Sequence, residues 1–116
     1  MKESQIQKAI LDYLAARHVM SFRMQVGAFS SEYKGKKRFM RVGTPGMADI
    51  LAFPRKLICD NGNDKWDMTP FPLWLEVKSD TGKQSELQKS FQAQVEAEGH
   101  GYAIVRSIDD VEALGL

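Results

Sequence analysis

Apolar residues recur along this chain in two rhythms, one of period near 3.6 and one of period two. Near the N-terminus Ile6, Ile10 and Leu14 fall four apart with Leu11 beside them, which predicts an amphipathic helix over residues 3–17. Phe22, Met24 and Val26 then alternate with Arg23 and Gln25, predicting a strand over residues 20–29. Polar residues 30–37, with Lys34-Gly35 as the turn, lead to a second strand over residues 38–42, so the two form a hairpin. Gly43-Thr44-Pro45-Gly46 reads as a turn and residues 48–53 as an apolar strand. Residues 54–72 carry prolines, Asn-Gly and several acids, and read as a surface loop tucked down by Trp66. Leu73-Trp74-Leu75-Glu76-Val77-Lys78 is the next strand, followed by a turn over residues 79–83. Ser85 with Gln88 three residues later is a capping-box pattern, and Leu87, Phe91 and Val95 supply the apolar stripe of a helix ended by Gly99. A last strand spans residues 102–106, and Ser107 with Asp110 caps a short helix through Leu114.

The strand of residues 73–78 organises the rest. Side chains alternate between faces, so Leu73, Leu75 and Val77 line one face while Trp74, Glu76 and Lys78 line the other. A carboxylate and an ammonium side by side are either a solvated face or the beginnings of a cation site that polarises water. Asp49 raises the same question. An acid inside an apolar run is costly to bury unless it is paired, hydrogen-bonded or bound to a cation, although a turn cap just after Gly46 would also account for it. Glu3 falls on the core-facing stripe in the first helical turn, where it either interacts with the helix dipole or reaches inward to a site.

Composition narrows the possibilities. At 116 residues, 43% hydrophobic and 27% charged, the chain has the make-up of one globular domain spanning residues 1–116. The longest apolar runs are too short to cross a bilayer and no basic leader precedes one, so a cytoplasmic protein without a membrane partner is expected. The single cysteine, Cys59, cannot form an internal disulfide and reads as an inert thiol. Asp60, Asn61, Asn63 and Asp64 resemble a calcium loop but lack its terminal glutamate. Sixteen basic residues against 15 acidic give no overall nucleic-acid signature. The one dense basic cluster is Lys34, Lys36, Lys37, Arg38 and Arg41 with Tyr33 interleaved, which suits phosphate-backbone contact as well as it suits a solvated hairpin tip.

Asp49, then Glu76-Val77-Lys78, then a helix resembles the PD-(D/E)xK nuclease superfamily. Four pieces together look like its VRR-NUC group, in a stand-alone, phage-like form: a helix opening with Glu3; Val42-Gly43-Thr44-Pro45-Gly46-Met47-Ala48-Asp49; Glu76-Val77-Lys78-Ser79 followed by Gly82, Ser85 and Gln88; and Gly99 to Arg106-Ser107 with Asp109-Asp110-Val111. One departure is Ala48 where the pattern has proline before the acid, and no chemistry depends on that proline.

The resemblance implies an α/β fold with a restriction-endonuclease-like core, a mixed central β-sheet flanked by helices. It also implies metal-dependent hydrolysis of DNA phosphodiesters by an endonuclease that chooses its substrate by DNA shape more than by sequence, with branched DNA such as four-way junctions or flaps as substrate and a homodimer as the working unit. Asp49 and Glu76, with the Val77 carbonyl, would hold Mg2+ or Mn2+, and Glu3 would complete the shell. Lys78 would orient the attacking water or stabilise the developing charge, and Gln88 would position the nucleophile or a phosphate. Phe29, Phe39, Trp66 and Phe71 would supply a dimer surface. Two alternatives from other classes stand beside this: a non-catalytic nucleic-acid-binding module on the same fold, and a small interaction protein whose hairpin is the contact.

Overall fold

A computed structural model describes residues 2–24, 27–33, 36–42, 44–54, 57–59, 66–68 and 72–116. Among them, a four-stranded mixed sheet is flanked by helices on both faces. Helix α1 (Glu3–Ala16) comes first and buries Ile6, Ile10 and Leu14, as their spacing requires. It ends where His18 takes a left-handed φ of 59°, a conformation in which glycine would be less strained.

The sheet runs in the order β1 (Met20–Arg23), β4 (Ile50–Phe53), β7 (Leu73–Val77), β8 (Gly101–Val105). Strand β4 is antiparallel to both β1 and β7, while β7 and β8 are parallel and are joined through α2 (Glu86–Ala97). Helix α3 (Ile108–Ala113) closes the chain, with Ser107 Oγ accepting from the Asp110 N–H at 3.3 Å.

Strand β7 is central and buried along its whole length. Leu73, Leu75 and Val77 pack with Ile6, Ile10 and Leu14 of α1, Ile50 and Ala52 of β4, and Val105, Val111 and Leu116. Each Leu, Ile or Val among them contributes roughly 1.5–3 kcal/mol on burial. On the opposite face Trp74 meets Ala48, Phe91 and Val95, its ring edge-on to Phe91 at 5.0 Å. The alternation of β7 therefore divides the molecule into an α1/α3 side and an α2 side, and Glu76 falls on the α2 side.

The structure departs from the expected elements in five places. The strand expected over residues 20–29 is two strands, β1 and β2 (Gly27–Tyr33), which belong to different sheets. Strand β2 pairs with β3 (Lys36–Val42) in an antiparallel hairpin longer than expected, with Ser30 to Tyr33 in the strand and not in the turn. Alternation alone does not show where a strand changes partner. The stretch expected to be a loop contains β5 (Leu57–Cys59) paired with β6 (Trp66–Met68), so Cys59 lies in a strand. Short β-branched and aromatic runs were outweighed there by the turn residues between them. Asp49 precedes β4 and does not share its pleat. Finally, Leu87 is 60% exposed, outside the buried stripe that Phe91 and Val95 form. Among the described residues no helix is long and apolar enough to cross a membrane.

Candidate active site

Residues of β7, the start of β4 and the first turn of α2 converge on the α2 side of the sheet. Antiparallel pairing of Ile50 with Leu75 puts Asp49 next to Glu76 and Val77. Asp49 Oδ2 accepts from the Val77 N–H at 2.8 Å. Its own carbonyl accepts from the Met24 N–H at 2.8 Å, so the residue is held between β1 and β7. Glu76 is only 2% exposed and Lys78 only 8%, which excludes a solvated face for this charged pair. Lys78 Nζ stands 3.5 Å from Glu76 Oε1.

Gln88 supplies the third contact. Its Nε2 donates to Glu76 Oε1 at 2.8 Å, while its Oε1 accepts from the Ser85 N–H at 2.8 Å. A close approach of backbones makes this possible. Gly46 has φ of 83°, and a Cβ there would lie 2.3 Å from the Leu87 carbonyl oxygen. With the turn before Asp49 pressed against α2 at Leu87 and Gln88, it is Gln88 that turns inward over Glu76, which explains why Leu87 is left outside.

The second oxygen of Glu76, Oε2, is buried without any hydrogen-bond partner. The Glu76 carboxyl is pushed up to about 8, first by burial and then by the charge of neighbouring Asp49, against the opposing pull of Lys78. The magnitudes explain the outcome. An opposite charge at about 4 Å is worth about 4 kcal/mol at an effective dielectric of 20, whereas desolvating a carboxylate costs several kcal/mol and a like charge adds to that. Two carboxylates in one place, one with a bare buried oxygen, fit a divalent cation with a preference for oxygen ligands.

Glu3 is placed differently. Its Oε1 lies 3.5 Å from the Ser79 N–H, over the turn that follows Lys78. A Cβ on Gly82 would be 3.1 Å from that oxygen and 3.4 Å from Lys78 Cδ, so Gly82 is where Glu3 and the lysine stem approach one another. Among the described residues no three His, Cys, Asp or Glu side chains form a ligand cluster, so Glu3 does not join Asp49 and Glu76 in one. Of the basic cluster, Lys36, Lys37, Arg38 and Arg41 lie on β3, and Lys34 lies outside the described residues. The side chains of Phe29, Phe39, Trp66 and Phe71 and the segment containing Asp60, Asn61, Asn63 and Asp64 also lie outside the description.

Residue-by-residue reading of the sequence missed Arg106 and Tyr102. The guanidinium of Arg106 donates from Nη1 to the carbonyls of Ser79 and, at 2.9 Å, Gly82, clamping the turn after Lys78. Tyr102 accepts from Gln84 Nε2 at 3.0 Å, and its hydroxyl is pushed up to about 12 by burial, with the charges of Glu76 and Asp49 adding to the shift. The signal for Arg106 is the parallel pairing of Val77 with Val105, which sets Arg106 beside Lys78, and that pairing is not visible in the sequence.

No protein-family model matches the chain, and neither curated proteins nor solved structures give a significant match.

Proposed function

We propose that this chain is a Mg2+- or Mn2+-dependent deoxyribonuclease of the PD-(D/E)xK type, resembling the VRR-NUC group, that hydrolyses phosphodiester bonds in branched DNA such as four-way junctions or flaps. The observation that carries the reading is the unpartnered, buried Glu76 Oε2 beside Asp49, with Lys78 on the same strand end. Asp49 and Glu76 would hold the cation, with the Val77 carbonyl as a further ligand. When bound, the cation lowers the pKa of a coordinated water and neutralises charge on a phosphate oxygen.

The chain's own residues do the rest. Lys78 brings an ammonium to the place where negative charge builds on the phosphorus-bound oxygens during attack, and it can donate to that oxygen or hold the water. Gln88 fixes the orientation of Glu76 through Oε1, leaving Oε2 for the cation. Asp49 is anchored through Oδ2 by the Val77 amide, which leaves Oδ1 for the same purpose. Lys36, Lys37, Arg38 and Arg41 on β3, with Lys34, are the backbone-binding element. A homodimer acting in the cytoplasm of a bacterial or phage-infected cell is the setting that the resemblance implies, and a monomer mass by equilibrium sedimentation would reject the dimer.

The test is cleavage of labelled single-stranded, duplex, flap and four-way-junction DNA in Mg2+ or Mn2+, with EDTA and Lys78→Met as controls. Metal-dependent cutting that is lost in a folded Lys78→Met supports the nuclease. The second reading, a non-catalytic nucleic-acid-binding module, draws on the meeting of only two acids among the described residues. It is supported instead if DNA binds equally with and without Mg2+ and no substrate is cut.

A further inference from the structure

At the carboxyl ends of the parallel strands β7 and β8, on the α1/α3 side of the sheet, lies an open pocket of about 550 Å³. It starts at Ser79, one residue beyond Lys78, and shares with the candidate active site the turn that Arg106 clamps. Its volume lies within the range of ordinary small-ligand sites, about 300–1,000 Å³, and the carboxyl end of a parallel pair is where open α/β sheets bind ligands.

Its lining has two parts. Ile6 and Ala9 of α1 with Ile108 of α3 form an apolar wall. The rest of the lining is polar: Arg106, whose Nη1 is held by the turn carbonyls, Ser79, Thr81, Ser107, Asp80 and Asp109. One cation against two anions makes the lining net negative, which disfavours a phosphate dianion or a second stretch of DNA backbone. A flat, neutral ring carrying amino and imino donors satisfies both halves. Its faces would rest on the apolar wall, and its N–H groups would meet Asp80 or Asp109, carboxylates being acceptors that read amino groups of bases.

We propose that this pocket takes an unpaired nucleobase of the DNA strand being cut, near the scissile phosphate. This rests on the nuclease reading and deepens it by naming the feature the enzyme selects. A base can reach the pocket only after leaving its stack, so the chain favours substrates in which a base near the cut is already unpaired. Fully paired duplex is disfavoured by the cost of unstacking and unpairing the base.

The experiment uses oligonucleotides bearing 2-aminopurine at successive positions of a short single-stranded arm, and a fully paired control, bound to the full chain in EDTA and again in Ca2+. Two variants fill the pocket: Ala9→Trp from the helix and Thr81→Trp from the exposed turn, each checked for native circular dichroism. The expected result is a fluorescence change at one unpaired position with the wild-type chain. Both variants lose it and bind the branched oligonucleotide about ten-fold more weakly, about 1.4 kcal/mol. Equal fluorescence and affinity in either folded variant overturns the proposal, as does equal binding of the paired control. Cleavage in Mg2+ is scored separately. A base signal without cleavage rejects the nuclease and keeps the pocket, whereas cleavage indifferent to both tryptophans does the reverse.

Discussion

Gln88 donates to Glu76 at 2.8 Å while accepting from the backbone of Ser85 at 2.8 Å, so a single side chain closes the α2 cap and orients the buried carboxylate. Gln88→Ala breaks both contacts, and the loss of a reciprocal cap together with a buried partner is expected to cost about 2 kcal/mol. Gln88→Glu keeps the cap geometry but sets a third carboxylate against Glu76 and Asp49. Urea unfolding should show Gln88→Glu close to the wild type at pH 5 and clearly less stable at pH 8. Equal midpoints at both pH values would show that the Gln88 contact does not matter to Glu76.

The pH dependence of the wild type follows from Glu76. Its folded value, about 8, lies above its ordinary 4.5, so the folded state binds the proton more tightly than the unfolded state does. The stability this contributes is fully present below about pH 4.5 and is lost as pH rises to about 8, amounting to a few kcal/mol. Without divalent cations Tm should fall across that window, and Glu76→Gln should remove most of the slope. Added Mg2+ should raise Tm more at pH 8 than at pH 6. A Tm that rises with pH from 5 to 8 in EDTA would contradict this account of the site.

Gly46 and Gly99 share φ of 83° but differ in surroundings. An alanine at Gly99 meets nothing within 4 Å and should cost only the left-handed strain, about 1 kcal/mol. At Gly46 the added carbon would sit 2.3 Å from the backbone oxygen of Leu87, so α2 must move away from Asp49. Gly46→Ala is expected to lose at least about 2 kcal/mol more than Gly99→Ala in parallel urea titrations and to lower cleavage with it. Equal losses in the two variants would mean that α2 adjusts freely there.

Arg106 holds two carbonyls of the turn after Lys78 from one nitrogen. Arg106→Ala should cost about 1.5–3 kcal/mol, the range for hydrogen bonds to a charged group. It should also speed amide exchange at Gly82, whose N–H bonds the Ser79 carbonyl at 3.1 Å in the same turn. Arg106→Lys, with a point charge in place of a fork, should recover only part of either effect. Unchanged exchange at Gly82 would show that the turn holds itself.

What the sequence determined by itself was whatever is set by neighbours along the chain. The four-residue spacing of Ile6, Ile10 and Leu14 made α1, the period-two pattern of Leu73 to Val77 made β7 and its two faces, and Ser85 with Gln88 started α2. Those patterns marked Asp49, Glu76 and Lys78 as charges in apolar surroundings and Gln88 as a cap residue, and it was the resemblance to a nuclease superfamily that joined them into one site. Only the tertiary structure decided that Glu76 and Lys78 are buried, that Glu3 goes to the Ser79–Gly82 turn and not to the carboxylate pair, and that Leu87 stays outside while Gln88 turns in. The break between β1 and β2 and the clamp by Arg106 belong with these. The physical reason is common to all of them: burial, strand partner and helix rotation are set by contacts between residues far apart in sequence, such as Gly46 on Leu87 and Val77 beside Val105, and no periodicity encodes them.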